Sequence, residues 1–163
     1  MPILCKVHRG DFIESIHVGF VVVVDAKGEI LYSNGDAHYL TCVRSALKPF
    51  QASASVKAGA VKHFNFTKEE IALMCASHNG ENIHVNTAMS MLQKIGYDIS
   101  YYECGAHSPY DKDSKKALLY NEEKPNPLHN NCSGKHAGML SLANYLQEDP
   151  KGYTDEDHLV QKK

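Results

Sequence analysis

Several features of common protein classes are missing from this chain of 163 residues. It has no tryptophan, and no apolar run approaches the roughly 20 residues that a membrane-spanning helix needs. The chain also has no large excess of charge of one sign, because it has 17 Lys and Arg and 19 Asp and Glu, which gives a formal net charge of −2. The start shows no basic region followed by an apolar one, so we predict no secretory signal. These absences argue against a membrane protein, a secreted protein or a nucleic-acid-binding protein.

The cysteines also lack the pattern of a disulfide framework. There are five of them, an odd number, at wide intervals and without a Cys-x-x-Cys pair. Together with the missing secretion signal, this pattern fits reduced thiols and predicts a cytoplasmic location. Hydrophobic residues make up 43% of the chain, which is enough for one ordinary core. We therefore expect a single domain over residues 1–163.

The N-terminal part of the sequence is typical of a β-hairpin. Residues 12–24 are rich in β-branched and aromatic side chains, residues 25–28 have turn chemistry, and residues 29–32 return as a shorter strand. The four consecutive valines at 21–24 predict a strand that is covered on both faces.

Helical patterns dominate from residue 45 onward. Gly59 is a plausible helix end, and Thr67 opens a capping box. Residues 100–133 have the character of a loop, whereas a second capping box at residues 154–157 predicts one more helix start. The apolar periodicity predicts helices at residues 50–58, 71–76, 83–95 and 134–146. The fold class is therefore predicted to be α+β.

The first cluster that could carry chemistry is residues 44–50, which contain the motif Ser45-x-x-Lys48. On a helical turn these two side chains face the same side, and a lysine kept neutral by burial can accept the serine proton. Pro49 fits only near a helix start, where free backbone N–H groups can bind an oxyanion. With 12 serines and 15 lysines in the chain, however, about one such motif is expected by chance, so alone it is weak evidence.

The second cluster is residues 75–81. Its Ser77-x-Asn79 follows Ser-x-x-Lys in the order found in penicillin-binding enzymes and β-lactamases, where the serine relays protons and the asparagine orients a substrate amide. The alternative is a polar helix C-terminus in which Asn79 and Gly80 form a turn.

The third cluster is residues 125–139, which are dense in Asn, His, Cys, Ser, Gly and Lys. So many polar side chains each need a hydrogen-bond partner, which is unusual for a segment with a purely structural role. A phosphate-binding loop is excluded because its first glycine is missing. A zinc site is an open alternative, since Cys104-x-x-His107 and His129-x-x-Cys132 have the spacing of tetrahedral zinc ligands.

Taken together, residues 44–52, 75–81 and 130–139 closely resemble the thermolabile, Rhizobium-type L-asparaginase family, also called asparaginase II. The resemblance runs from about residue 15 to the last residues. It implies a fold similar to serine β-lactamases and penicillin-binding proteins. It also implies hydrolysis of the side-chain amide of L-asparagine to L-aspartate and ammonia, part of asparagine catabolism, through a serine acyl-enzyme.

The same resemblance implies roles for individual residues. Ser45 matches the nucleophile, Lys48 its activating lysine and Ser77 the second active-site serine. Arg44 and His136 fall where the family contacts substrate, and Asn79 occupies the substrate-orienting position of the second cluster. Two ligands of a zinc ion beside the substrate pocket are matched by Cys132 and Lys135.

The chain also departs from the family pattern. Family members are considerably longer, and a later cysteine that completes the zinc site and a later lysine that partners Ser77 have no counterpart. We therefore expect the N-terminal part of an asparaginase II-type enzyme, with an incomplete fold. The alternatives are a catalytically inactive fragment or binding module and a penicillin-recognising serine hydrolase. If later strands are absent, the apolar residues 12–24 could pair across a homodimer interface.

Overall fold

A computed structural model describes residues 1–163 and groups them into two compact units, Met1–Cys42 and Val43–Lys163. The strands lie in the first unit and the helices in the second, so the predicted α+β class is confirmed. The single domain expected over residues 1–163 stays a prediction.

The first unit consists of two antiparallel hairpins, each forming its own two-stranded sheet. The second hairpin confirms the predicted turn and return strand: Asp25 Oδ1 accepts hydrogen bonds from the N–H groups of Lys27 and Glu29 at 2.8 and 2.9 Å, which closes the turn. The single strand predicted over residues 12–24 was wrong, because the structure divides it into Phe12–Val18 and Val21–Val24, which belong to different sheets. The first hairpin pairs Phe12–Val18 with Ile3–Arg9, a strand that the sequence did not predict. The strands are β1 (Ile3–Arg9), β2 (Phe12–Val18), β3 (Val21–Val24) and β4 (Ile30–Asn34).

The valine strand β3 is not covered on both faces, and that expectation was wrong. It pairs with β4 along one edge only, and its four side chains are 38–53% exposed. A run of valines indicates two-sided burial only where other layers pack on the sheet. Here the sheet has two strands, and all four valines stay exposed.

The second unit is helical, and three of the predicted helix boundaries are explained by local chemistry. α1 ends at Gly59, whose φ of 99° lies in the left-handed region that glycine tolerates. α3 begins with the predicted capping box, in which Thr67 Oγ1 accepts from the Glu70 N–H and Glu70 Oε2 accepts from the Thr67 N–H. α4 ends just before Gly96. The helices are α1 (Lys48–Ala58), α2 (Ala60–His63), α3 (Lys68–Cys75), α4 (Asn82–Lys94), α5 (Lys112–Tyr120) and α6 (Ser133–Tyr145).

Two predictions about this unit were wrong. Residues 100–133 contain α5, whose start is capped by Asp111: its Oδ2 accepts from the Ser114 N–H at 2.7 Å. No helix follows residues 154–157, where the chain forms turns. Thr154 does not cap a helix, because its hydroxyl donates to Glu103 Oε2 at 2.6 Å.

α6 is the central helix of the second unit, and ten of its residues are buried. It approaches α3 very closely at two glycines. A Cβ at Gly134 would lie 2.4 Å from the Leu73 carbonyl oxygen, and one at Gly138 would lie 2.6 Å from Met74 Cε. This close packing sets the third sequence cluster beside the end of α3, where the second cluster begins. None of the helices combines the length and the apolar character needed to cross a membrane.

Candidate active site

A cleft of about 310 Å³ brings together side chains from the first and third clusters. It lies at the start of α1, next to the residues that precede α6. No acidic side chain lines it, and three of its lining residues are basic. The cleft is therefore suited to a small anionic or polar molecule. Its functional side chains are Arg44, Ser45, Lys48, Cys132 and Lys135.

Lys48 joins all three clusters. It is the first residue of α1, and only 2% of its surface is exposed. Its Nζ lies 2.6 Å from the Ala76 carbonyl oxygen, 2.7 Å from Ser77 Oγ and 3.5 Å from the Asn131 carbonyl oxygen. The Ser45-x-x-Lys48 spacing predicts that the Lys48 amine faces Ser45, whereas in the structure the amine faces Ser77. Ser45 lines the same cleft without a hydrogen bond to Lys48.

The partners of Lys48 limit what its amine can do in each protonation state. Carbonyl oxygens only accept hydrogen bonds, so the amine must donate toward Ala76 and Asn131. A charged ammonium would use its third proton on the Ser77 hydroxyl. A neutral amine would instead turn its lone pair toward that hydroxyl, which can donate. Of the two serines that the sequence singled out, Ser77 is therefore the one placed to exchange a proton with Lys48.

Ser45 lies in a short 3₁₀ turn, Arg44–Leu47, that leads directly into α1. Its side chain is exposed to the cleft. The preceding residue, Arg44, has a φ of 50°, an uncommon left-handed conformation for a residue with a Cβ. Strained backbone of this kind concentrates at functional sites. Pro49 occupies the first turn of α1, as predicted from its missing N–H.

His78 is a site residue that sequence reasoning missed. It is 4% exposed, and its Nε2 lies 2.9 Å from the hydroxyl of Ser133, which is fully buried. The two residues belong to different clusters and are 55 positions apart, so no spacing rule could have paired them.

The other predicted substrate contacts do not line the cleft. Asn79 is exposed, and its carbonyl accepts from the Asp111 N–H at 3.0 Å. His136 is buried in α6, with Nδ1 2.7 Å from the hydroxyl of Tyr153, which accepts from the Glu103 N–H. Burial, aided by the charge of Lys135, lowers the pKa of His136 to about 4, so this ring is neutral at pH 7. The substrate roles of Asn79 and His136 stay predictions.

The zinc ion expected at Cys132 and Lys135 stays a prediction. Cys132 and Lys135 share the cleft, but no group of three or more His, Cys, Asp or Glu side chains is placed to hold a metal. Zinc sites in proteins use at least three protein ligands, and the third ligand that the resemblance implies is a later cysteine.

The four-ligand alternative from the sequence was wrong, because Cys104, His107, His129 and Cys132 are not grouped to hold a metal, and ring nitrogens of both histidines have other partners. His107 Nε2 accepts from the Asn131 N–H at 3.0 Å, and His107 Nδ1 donates to the Ser108 carbonyl. His129 Nδ1 is engaged by Asn126. Ring nitrogens held in this way stabilise the loop before α6.

Comparison with known proteins identifies one family. The family model described as L-asparaginase II matches residues 5–163, nearly the whole chain. A comparison with curated protein sequences found no significant match.

Proposed function

Because the chain belongs to the L-asparaginase II family, a family of amide hydrolases, we propose that it hydrolyses the side-chain amide of L-asparagine to L-aspartate and ammonia. The observation that carries this proposal is the contact of Lys48 with Ser77, at 2.7 Å, beside the cleft that contains Ser45. A buried amine, a serine hydroxyl at a helix start and a second serine hydroxyl against the amine are groups that suit a serine amidohydrolase. The same grouping, on an α+β chain, supports a fold similar to serine β-lactamases.

Ser45 is the proposed nucleophile. Its oxygen attacks the amide carbon and forms an acyl-enzyme, while its proton passes to neutral Lys48, either directly or through the Ser77 hydroxyl. Lys48 then returns the proton to the departing nitrogen, which leaves as ammonia. Attack by water on the acyl-enzyme releases aspartate and restores Ser45.

Two further features of the cleft support this reaction. The turn that carries Ser45 leads into α1. The Ala46 N–H donates to the Val43 carbonyl at 3.3 Å, whereas the Ser45 N–H has no backbone partner and is available to a developing oxyanion. Arg44 and Lys135 give the cleft two cationic side chains that can bind the carboxylate of an amino acid substrate.

Two further proposals concern the state of the protein. All five cysteines are free thiols, which supports a cytoplasmic location. The exposed strand β3 is paired on one edge only, which supports a homodimer formed through residues 12–24.

The decisive experiment measures ammonia release from L-asparagine by the purified chain, beside its Ser45→Ala and Ser77→Ala variants. We expect release by the chain, loss of release in Ser45→Ala, and a large reduction in Ser77→Ala. Absence of release from all three proteins would favour the catalytically inactive alternative. Cleavage of a β-lactam reporter without hydrolysis of asparagine would favour the penicillin-recognising alternative.

A further inference from the structure

His78, the residue after Ser77, makes more hydrogen bonds than either of its neighbours in the sequence. His78 has a buried side chain, and its own backbone N–H donates to the Asn131 carbonyl at 3.2 Å. Its ring accepts from the Gly80 N–H at Nδ1, at 3.1 Å, and contacts Ser133 Oγ at Nε2, at 2.9 Å. His78 thus fastens the loop after α3 to the start of α6 at two points.

These contacts fix the tautomer of the ring. The Gly80 N–H can only donate, so Nδ1 must be the acceptor and the neutral ring must carry its proton on Nε2. That proton is donated to the hydroxyl of Ser133. A charged ring would bring a second proton onto Nδ1, facing the Gly80 N–H, and would break this contact.

The loop that His78 fastens is the one that presents Ser77 to Lys48. On one side of Ser77 the Ala76 carbonyl accepts from Lys48 Nζ. On the other side lies His78. The Asn131 carbonyl, which accepts from the His78 N–H, also lies 3.5 Å from Lys48 Nζ. The contacts of Ala76 and His78, the residues before and after Ser77, therefore fix the position of the Ser77 hydroxyl.

We propose that His78 is a positioning residue: its hydrogen bonds to Ser133 and Gly80 hold the Ser77 hydroxyl against the Lys48 amine. This inference rests on the proposed amidohydrolase function, because it assigns the consequence of that geometry to proton transfer. His78 itself has no direct access to substrate, since its ring is buried and both nitrogens are engaged.

The surroundings of His78 keep its ring neutral, as the positioning role requires. Burial lowers the pKa of His78 to about 4, and basic side chains around it, which repel a second positive charge whenever they are protonated, add to this effect. These groups are His84 on α4, whose ring stacks on that of His78 at 4.9 Å, Lys48 on α1, and His107 and His129 in the loops. None of these neighbours is acidic, so nothing nearby favours the charged ring.

Two substitutions separate the two ring contacts. His78→Gln keeps a donor that reaches toward Ser133, whereas His78→Asn keeps an acceptor for the Gly80 N–H and loses the Ser133 contact. Because misplacement of about 1 Å costs about 100-fold in rate, we expect His78→Asn to lower kcat for asparagine about 100-fold with little change in KM. We expect His78→Gln to recover most of that loss.

The chain offers a matched control in His158. Its Nδ1 accepts from the Val160 N–H at 3.1 Å and its Nε2 donates to the Asp149 carbonyl at 2.8 Å, the same pattern as in His78. His158 does not line the cleft. His158→Asn should therefore lower the melting temperature as His78→Asn does, while leaving kcat unchanged. An unchanged kcat in His78→Asn, or an equal loss of kcat in both variants, would overturn the positioning role.

Two measurements keep this inference separate from the proposed function. ¹⁵N NMR at pH 7 should show the His78 proton on Nε2, and a proton on Nδ1 would overturn the inference. A crystal structure of His78→Asn should show Lys48 Nζ and Ser77 Oγ beyond hydrogen-bond distance, and an unchanged contact would overturn it too. Neither measurement needs turnover. If the wild-type chain releases no ammonia, the proposed function fails while these two results still decide the role of His78.

Discussion

Lys48 and Ser77 are 29 positions apart in the sequence, yet the Lys48 amine lies 2.7 Å from the Ser77 hydroxyl. This contact, rather than one within the Ser45-x-x-Lys48 motif, defines which hydroxyl the amine faces. In the proposed reaction the first cluster supplies the nucleophile and the base, while the second supplies the hydroxyl that the base contacts.

Replacing Lys48 should remove the proposed base. In Lys48→Met, which keeps most of the side-chain volume, we expect kcat for asparagine to fall by a factor of about 10² to 10⁴, the usual contribution of a general base. Lys48→Arg should not restore activity, because a guanidinium stays charged and cannot accept the serine proton. Ammonia release measures both variants. Substantial activity in Lys48→Arg would contradict the role of a proton acceptor.

The strained backbone at Arg44 predicts different effects for glycine and alanine. A φ of 50° costs a residue with a Cβ about 1 kcal/mol or more, and glycine avoids that cost. Arg44→Gly should therefore be at least as stable as Arg44→Ala in urea unfolding. Both variants should raise KM for asparagine, since both remove the guanidinium from the cleft. An unchanged KM would argue against a carboxylate contact at Arg44.

The close approach of α6 to α3 predicts that its two glycines differ in tolerance. Gly134→Ala places a methyl group 2.4 Å from a backbone oxygen of Leu73, so the helices must separate, and we expect a loss of about 1–3 kcal/mol in the free energy of unfolding. Gly138→Ala meets the flexible end of Met74 and should lose less. Thermal and urea unfolding of the pair check this order. Equal losses would show that α6 is not held against the backbone of α3.

Glu70 predicts a loss of stability in acid. Its carboxylate is 2% exposed and accepts from the Thr67 N–H, the Ser90 hydroxyl and Lys94 Nζ. Burial raises the pKa of Glu70, but the hydrogen bonds and charge of Lys94, together with the other donors, outweigh it and lower the pKa below 4.5. Its stabilising contribution is therefore complete above the unfolded pKa and is lost as the pH falls through the folded pKa.

The variant Glu70→Gln tests this. It should be less stable than the wild type at pH 7, by about 1–3 kcal/mol for a buried group with a weakened partner. The difference between the two proteins should shrink as the pH falls below the ordinary pKa of a glutamate, because the folded pKa of Glu70 is lowered. Exposed Glu123 provides the control, and Glu123→Gln should follow the wild-type curve. A Glu70→Gln difference that stays constant with pH would contradict the ion pair.

The free edge of β3 predicts the oligomeric state. If two copies pair through residues 12–24, the chain should elute as a dimer in size-exclusion chromatography with light scattering. Val22→Lys should shift it to a monomer, because a charged residue disfavours edge pairing. Leu119→Lys introduces the same charge at an exposed apolar residue of α5 and should leave the dimer intact. A monomeric wild type would contradict this proposal.

Local chemistry explains which parts of the fold were predictable. Thr67 with Glu70, Gly59 and Pro49 act within a few residues of their own backbone, so their helix boundaries could be predicted from the sequence. α5 was missed because its charged residues resemble a loop until Asp111 is recognised as its cap. The exposure of Val21–Val24 depends on which layers pack on the sheet, and no pattern within the strand contains that information.

The candidate site was predictable as a set of residues but not as a set of contacts. The motifs identified Ser45, Lys48 and Ser77, because each cluster has an unusual composition. Their pairing depends on how the start of α1 lies against the end of α3, which no single motif encodes. The hydrogen bond from His78 to Ser133 likewise joins residues that are far apart in the sequence, so no motif predicts it.

Two of the three partners of Lys48 are main-chain carbonyls, those of Ala76 and Asn131. A substitution at either position changes the side chain and leaves the acceptor in place. Positions 76 and 131 can therefore be substituted without removing the hydrogen-bond acceptors of the Lys48 amine, provided that the backbone path is kept. Evolutionary constraint should fall instead on the residues that shape that path.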